Sequence, residues 1–515
     1  MDAYRHRQFA APARPGAADL WINRGVRPKI APTAPARVYA VAVMLLVALC
    51  GCARIAQEPE INPDRLAPPS AERQWTPSAA IRNDFAPASI APVADGASGP
   101  AQPYDLSGLI SLALRNNPLT RDLWQRARAA AARFGAAHAP YYPRAGFTSD
   151  SGYTRTPFQL PGSLGVINQY QAQPAAAMTY TLLDFGRRRS DAEAARDRLI
   201  AANFSFNRAV QQVVFATQTA YYGFDAARAG VNAAERNLEL ARTDADAVQQ
   251  RVSLGLATQP ELLLARERVA QSEFDLANAR LLVHDAQANL AVALGIPANQ
   301  ELRVESLQRV SIPESLAAAV DGFIAQARRE RPDLAASMAN LRARQAQVTR
   351  ARAESFPLVQ LSADYGEDLW DYTFRGPPTI ETGQPQYSAL VMLRWDIFTG
   401  FKRLNDLRAA RADRDSAHAQ LKSLDIDAIA EVWRAYYEFE SSLSKYQYAQ
   451  SLLAASRESY DANLETYRQG LSTIVELLTA ESDLANARYT LIASKAELLT
   501  ADAAVAYAAG AVRIP

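Results

Sequence analysis

The chain has 515 residues, of which 49% are hydrophobic and 21% are charged, a composition that excludes a disordered tail and leaves room for several domains. Its 55 basic and 54 acidic residues leave a net charge of +1, so electrostatics give no case for nucleic acid or for an acidic partner. The 4 histidines lie far apart without a carboxylate or thiol at metal-ligand spacing, and we expect neither a metal site nor a cofactor.

An apolar run near the start of the chain predicts a secretory signal. Residues 38–49 are uninterrupted apolar residues after several basic ones, and the run is too short to span a membrane comfortably. It ends at Leu49-Cys50-Gly51-Cys52, which resembles a bacterial lipoprotein processing box. We therefore assign residues 1–51 to a signal segment and expect Cys52 to be lipidated. The alternative is an ordinary cleaved signal with two incidental cysteines.

Residues 52–103 are rich in proline, alanine and serine, a composition typical of an extended segment. Residues 67–70 and 96–103 are its loosest parts. We interpret this stretch as a lipidated tether that lies along the folded body, where burial of Trp75 and Phe85 anchors it.

The rest of the chain is an internal duplication, which we divide into a first repeat at 104–310 and a second at 311–515. Asn117-Pro118 corresponds to Arg331-Pro332, and the two prolines are 214 residues apart. Further on, the glycines of two Gly-Leu-x-Thr motifs are 215 residues apart. Landmarks that keep one spacing over most of two hundred residues are far more specific than any single motif.

Each repeat begins with two helices and continues with a much longer one. Proline favours a first helical turn, so we expect a helix of one to two turns before Asn117 and a second from Pro118 to about Tyr141. The stretch from about 187 to 254 has no proline and predicts a helix on the order of 100 Å long. A shorter helix then runs from Pro260 to Leu294, so that two shorter helices end to end roughly match the long one.

The long helices carry the a/d heptad pattern of a coiled coil. In the first repeat the seam is made of valine, leucine, phenylalanine and many alanines, which predicts close helix approach. The second seam is more polar and includes Ser442, Tyr446, Ser456, Tyr460 and Asn463. Polar seam residues weaken packing and predict a helix that moves, unless they are simply hydrated.

Two short strands precede each long helix. Apolar and polar residues alternate in Val359–Tyr365 and Ala389–Trp395, and more weakly in the first repeat. Strands of about ten residues with one apolar face are typical of a transmembrane β-barrel, although an amphipathic soluble hairpin looks the same. The stretches 156–174 and 367–386, which are rich in proline and glycine, predict long outward loops.

Four strands cannot close a barrel, and an open sheet edge in lipid leaves backbone groups unpaired. Two copies would supply about eight strands, whose lumen is filled by side chains, whereas three would supply about twelve and leave a passage. We therefore expect a homotrimer.

These motifs in this order resemble the TolC family of bacterial outer-membrane export channels, including its lipoprotein branch, over roughly residues 104–512. The likeness rests on the paired helix starts before proline, the Phe-Gly-Arg-Arg and Phe-Thr-Gly turns, and the two Gly-Leu-x-Thr tips. It implies a mainly α chain with duplicated coiled-coil hairpins and four membrane β-strands per chain, forming a trimeric α-barrel and β-barrel tunnel. The barrel would cross the outer-membrane lipid and the helices would extend into the periplasm, towards a periplasmic adaptor and an inner-membrane pump.

The resemblance also implies two kinds of site at the helix tips. The adaptor would contact the tip residues, which are Gly255, Leu256, Thr258, Gly470, Leu471 and Thr473. Glu261 and Glu476 each lie six residues beyond a tip glycine, where the family carries acidic residues that face the narrowed periplasmic entrance. A carboxylate cluster in a narrow pore would favour cations. The alternative is an acidic first-turn residue that stabilises the helix dipole.

Two other classes of protein compete with a channel. A periplasmic coiled-coil adaptor or structural lipoprotein also combines a helical hairpin with a lipid anchor, but it has one hairpin, and this chain has two with internal strands. An enzyme is not expected, because Asp184-Phe185-Gly186 lacks the other loops of a kinase site. The cargo stays open, since drug efflux, metal efflux and protein secretion all fit a wide, water-filled tunnel.

Overall fold

The computed structural model describes residues 70, 72–76, 78, 103–160, 163–299, 302–306, 312, 314–374 and 379–512. The signal segment, Cys52 and Phe85 therefore lie outside the described residues. Within those ranges, none of the helices combines the length and the apolar character needed to cross a lipid bilayer.

The same series of elements occurs twice in the described chain, which confirms the duplication. The first series is α1 (Leu106–Asn116), α2 (Pro118–Ala137), β1 (Arg144–Leu160), β2 (Ser163–Leu183), α3 (Arg187–Ser253) and α4 (Gln259–Leu294). The second is α5 (Val320–Glu330), α6 (Pro332–Ala353), β3 (Leu358–Phe374), β4 (Thr379–Arg394), α7 (Lys402–Arg468) and α8 (Ile474–Ala508).

The long helices α3 and α7 have 67 residues each, as their seams predict. The first helix is longer than predicted, with 11 residues, because the Asp105 side chain accepts a hydrogen bond from the Gly108 N–H at 2.8 Å and begins the helix earlier. The second helix starts as expected, since Asn117 caps it and Pro118 occupies its first turn.

Two shorter helices meet end to end beside each long one. At the end of α4, the Asn117 side-chain amide donates to the Ala293 carbonyl at 3.1 Å. A Cβ on Gly295 would lie 2.8 Å from the Asn117 Cα, so only glycine permits this close joint. In the second repeat, Arg331 donates to the Ala508 carbonyl at 3.2 Å and so joins α8 to α6. The predicted end-to-end stacking is therefore confirmed.

The seams of the long helices are largely buried, as a coiled coil requires. Helix α3 packs against α2, α4, α6 and α8, while α7 packs against α6 and α8. The more polar seam of α7 is also buried at Ser442, Ser456, Tyr460 and Tyr467. These four side chains are therefore not exposed to solvent in the described chain.

The four strands form one antiparallel sheet in the order β1-β2-β3-β4. They have 17, 21, 17 and 16 residues and are longer than predicted. The predicted loops at 156–174 and 367–386 were wrong, because most of these residues continue the strands. Proline and glycine suggested loops, but Pro157 and Pro385 lie on the edge strands, where a missing N–H need not break a ladder. Pro174 lies in the inner strand β2, at a point where its pairing with β3 is interrupted.

Each sheet connects to its long helix through two consecutive left-handed residues. In the first repeat these are Phe185 (φ 54°) and Gly186 (φ 93°), and in the second they are Gly400 (φ 59°) and Phe401 (φ 63°). The turn is thus retained between the repeats, while its glycine and phenylalanine exchange places. A non-glycine residue in this region costs on the order of 1–2 kcal/mol.

The described part of the tether packs on the helical body. The backbone N–H of Trp75 donates to the Asn207 side-chain oxygen at 3.1 Å, and the Asn207 side-chain amide donates back to the Trp75 backbone carbonyl at 3.1 Å. The Trp75 ring also meets Phe204 edge-on, with centroids 5.5 Å apart. These contacts support the predicted anchoring by Trp75.

Candidate functional site: the helix tips and the charged core above them

The two helix tips have the same backbone geometry. Gly255 (φ 73°) follows α3 and Gly470 (φ 74°) follows α7, and the left-handed conformation lets each chain reverse direction within a few residues. Leu256 and Leu471 are 66% and 76% exposed. Each tip therefore presents an apolar side chain to its surroundings.

Glu261 and Glu476 both belong to capping boxes. The Glu261 carboxylate accepts a hydrogen bond from the Thr258 N–H at 3.2 Å, and the Glu476 carboxylate accepts one from the Thr473 N–H at 3.1 Å. Within one chain these contacts favour the helix-dipole alternative. A gate would require the same carboxylates to face a pore between copies, so the gate stays a prediction.

A buried carboxylate lies about two turns into α8, above the second tip. Glu481 of α8 is 1% exposed, and its Oε1 accepts a hydrogen bond from Arg268 Nε of α4 at 3.2 Å. Its Oε2 has no hydrogen-bond partner among the described residues. Burial raises the pKa of Glu481 to about 7, although the Arg268 guanidinium opposes the shift.

A second buried acid joins the two long helices. The Tyr460 hydroxyl of α7 donates to Asp244 Oδ2 of α3 at 3.0 Å. Burial raises the pKa of Asp244, and the tyrosine hydrogen bond partly offsets that rise. Because a buried acid left without its donor is costly, this pair holds α3 and α7 in one arrangement.

Two arginines complete the charged core between the hairpins. Arg251 of α3 donates to the Tyr467 carbonyl at the end of α7 at 3.1 Å, and its guanidinium lies 4.7 Å from the Tyr467 ring centroid. Arg488 of α8 donates to the Asn237 side chain of α3. The first and second repeats are therefore joined near their tips by charged and polar contacts.

The chain reverses direction where the two Gly-Leu-x-Thr motifs predict it, whereas Glu481, Arg268 and Asp244 were not predicted. The available signal was a charged residue on an apolar seam, since Leu477, Glu481 and Leu484 follow steps of four and three. No group of histidine, cysteine, aspartate and glutamate side chains suited to a metal ion occurs within the part of the chain described here.

The fold is that of a duplicated, mainly helical chain whose two long coiled-coil hairpins extend from one antiparallel sheet. Residues 109–296 and 323–511 match the family model described as Outer membrane efflux protein. The chain therefore belongs to the outer membrane efflux protein family. The match covers both repeats, which confirms the predicted class of protein and its outer-membrane location.

Individual relatives agree with this assignment. The chain is 30% identical to Protein CyaE of Bordetella pertussis over 78% of its own length and 83% of that protein. It is 24% identical to the antibiotic efflux pump outer membrane protein ArpC of Pseudomonas putida, over 85% and 90% of the two chains. The solved outer-membrane channel OprN has the same fold, with a TM-score of 0.70 at 22% identity over 80% of this chain and 91% of that one.

The family assignment decides between the competing classes. A periplasmic adaptor is not supported, because the matched family is that of the outer membrane component. The family is one of transport proteins and not of enzymes.

Proposed function

We propose that three copies of this chain form the outer-membrane exit duct of a tripartite export system. A periplasmic adaptor and an inner-membrane pump would deliver the cargo to its periplasmic end. The observation that carries the proposal is the four-stranded sheet, whose outer strands β1 and β4 each have one unpaired edge among the described residues of the single chain. In lipid such edges are unstable, and pairing β4 of one copy with β1 of the next removes them.

The duplication predicts the register of that pairing. Within the chain β2 pairs with β3, for example through Ala176 and Tyr365. Strands β1 and β3 directly follow Pro143 and Pro357, which are 214 residues apart. With that offset for β1 and β3, the registers of the two hairpins give an offset of 215 for β2 and β4. The counterpart of Ala176 is Val391 and that of Tyr365 is Ser151. Val391 should therefore lie opposite Ser151 of the neighbouring copy.

A cysteine pair tests this closure. Val391→Cys combined with Ser151→Cys should give disulfide-linked dimers and trimers on a non-reducing gel. The matched control is Ala176→Cys with Tyr365→Cys, whose disulfide must stay within one chain. Light scattering in detergent should give about three chain masses, and a monomeric mass with an intact β signal would refute the shared barrel.

The helix tips are proposed as the adaptor contact, because Leu256 and Leu471 are largely exposed there. Leu471→Asp should reduce export and adaptor cross-linking while leaving the trimer intact, and Leu256→Asp tests the other tip. A bulky residue at Gly470 should abolish transport, because it would obstruct the proposed adaptor contact at this tip. The positive φ of Gly470 adds backbone strain to the variant. Unchanged export in all three variants would place the contact elsewhere.

The proposed gate is tested by removing charge without removing the cap. Glutamine also completes a capping box, so Glu476→Gln and Glu261→Gln keep the helix start and change only the charge. In planar bilayers, Glu476→Gln should lower cation selectivity and relieve block by multivalent cations from the periplasmic side. Parental selectivity and block in an intact trimer would leave Glu476 as a capping residue alone.

Acylation at Cys52 is proposed from the apolar run and the processing box. Metabolic labelling with a palmitate analogue should mark the parent protein and not Cys52→Ser. Equal labelling of both proteins would contradict lipidation at this residue.

A further inference from the structure

The contacts between the two repeats of one chain are a template for contacts between chains. In a closed ring of three copies, the second repeat of each chain is followed by the first repeat of the next. A contact from repeat one to repeat two within the chain therefore predicts an equivalent contact from repeat two to repeat one of the neighbouring copy. This reasoning rests on the trimer proposed above.

One such contact lies in the charged core above the tips. Arg268 of α4 and Glu481 of α8 form an ion pair at 3.2 Å. The helices α4 and α8 correspond at an offset of 215, since Glu261 and Glu476 occupy the same position of the two capping boxes.

The same offset gives the counterpart of each partner. Arg268 corresponds to Asp483, and Glu481 corresponds to Arg266. The counterparts are again one acid and one base, with the two charges exchanged between the repeats. If these residues did not interact, nothing would favour opposite charges at the two positions that the 215-residue offset selects.

Helix geometry places Asp483 and Arg266 on the helix faces that would meet a neighbouring copy in a closed ring. Two steps along an α-helix turn a side chain by about 200°, so Asp483 projects away from Glu481 and Arg266 away from Arg268. Both Asp483 and Arg266 are exposed in the single chain, and Arg266 donates to Gln249 of its own hairpin at 2.9 Å. Their carboxylate and guanidinium are thus directed away from the contact between repeats.

We propose that Asp483 of each chain forms an ion pair with Arg266 of the neighbouring copy. Three contacts of this kind alternate around the tunnel with the three Arg268–Glu481 contacts inside the chains. They join adjacent hairpins laterally at the level of the charged core, above the tips and apart from the sheet. The partner of this surface is a second copy of the same chain.

Cross-linking tests the proposed contact directly. Arg266→Cys with Asp483→Cys, treated with a short bifunctional maleimide, should give covalent dimers and trimers of the full-length protein. Arg268→Cys with Glu481→Cys is the matched control and should cross-link only within one chain, because its residues already face each other. The parent protein, whose helices contain no cysteine, shows the background.

The outcomes separate this inference from the trimer on which it rests. A trimeric mass with a reacting control pair and no interchain product from the 266/483 pair would overturn the ion pair alone. A monomeric mass for the parent protein would overturn the proposed assembly and the ion pair with it.

Charge exchange supplies a second test that does not depend on cysteine reactivity. Arg266→Asp and Asp483→Arg should each lower the temperature at which the trimer dissociates, because each places like charges side by side. The double exchange should restore most of the loss. Single variants that behave like the parent, or a double variant no better than the singles, would contradict the contact.

Discussion

Replacing Glu481 by glutamine should make the folded helices more stable at alkaline pH and leave them nearly unchanged at acidic pH. Glutamine has the size of glutamate and can still accept the Arg268 hydrogen bond, but it cannot ionise. The substitution therefore removes the cost of a buried carboxylate while retaining its packing.

The magnitude follows from the raised pKa of Glu481, which is about 7 against an ordinary value of 4.5. Burial is the main cause, and the shift already includes attraction by Arg268 and Arg488 and repulsion by Asp244. Each unit of pKa is worth about 1.4 kcal/mol, so the carboxylate disfavours folding by on the order of 3 kcal/mol once it is ionised.

The direction of the pH dependence is set by which state binds the proton more tightly. Since the folded state holds it more tightly, the contribution of Glu481 to stability is complete below about pH 4.5. It declines as the pH rises towards 7 and is then constant. The advantage of Glu481→Gln should therefore grow across this interval and level off above it.

Thermal unfolding followed by helical circular dichroism between pH 4.5 and 8.5 measures this difference. Glu476→Gln is the matched control, because it changes an exposed glutamate on the same helix. A shift in midpoint that is the same at every pH, or a variant less stable than the parent at pH 8, would refute the assignment of a buried ionising carboxylate.

Three further substitutions test the packing of the helical body by the same unfolding assay. Trp75→Ala removes the contact with Phe204 and should destabilise by about 1–2 kcal/mol; an unchanged midpoint would mean that the tether does not contribute. Asn117→Ala removes a helix cap and the bond to Ala293, and about 1–2 kcal/mol should be lost. Arg331→Ala removes the closest cation from Asp333 and Glu431, which among the described cations keep only Arg208 at 3.6 and 3.8 Å, and should cost on the order of 3 kcal/mol, more than the loss from Asn117→Ala.

The sequence alone was sufficient for the class of protein and for most of its helices. Helix length, the heptad seam and the tips depend on local patterns, such as the absence of proline from 187 to 254 and glycine at 255 and 470. The capping boxes could likewise be read from threonine followed three residues later by glutamate. Signals of this kind depend only on nearby residues, so they can be interpreted without knowing which elements pack together.

The sequence was misleading about the strands. Proline and glycine between 156 and 174 and between 367 and 386 favoured loops, yet the structure continues the ladder through most of them. Pairing with a neighbouring strand is a nonlocal contact. It overrides weak local preferences where the proline lies on an edge strand, or where the ladder is interrupted, as at Pro174 of β2.

Only the tertiary structure identified the charged core. Arg268 and Glu481 are 213 residues apart in the chain, and nothing local indicates that one will pair with the other. The duplication determines which residues correspond, whereas the packing of α4, α3 and α8 determines which of them meet. A buried ion pair depends on the position of both partners and on the exclusion of water, and these are set only when the helices pack together.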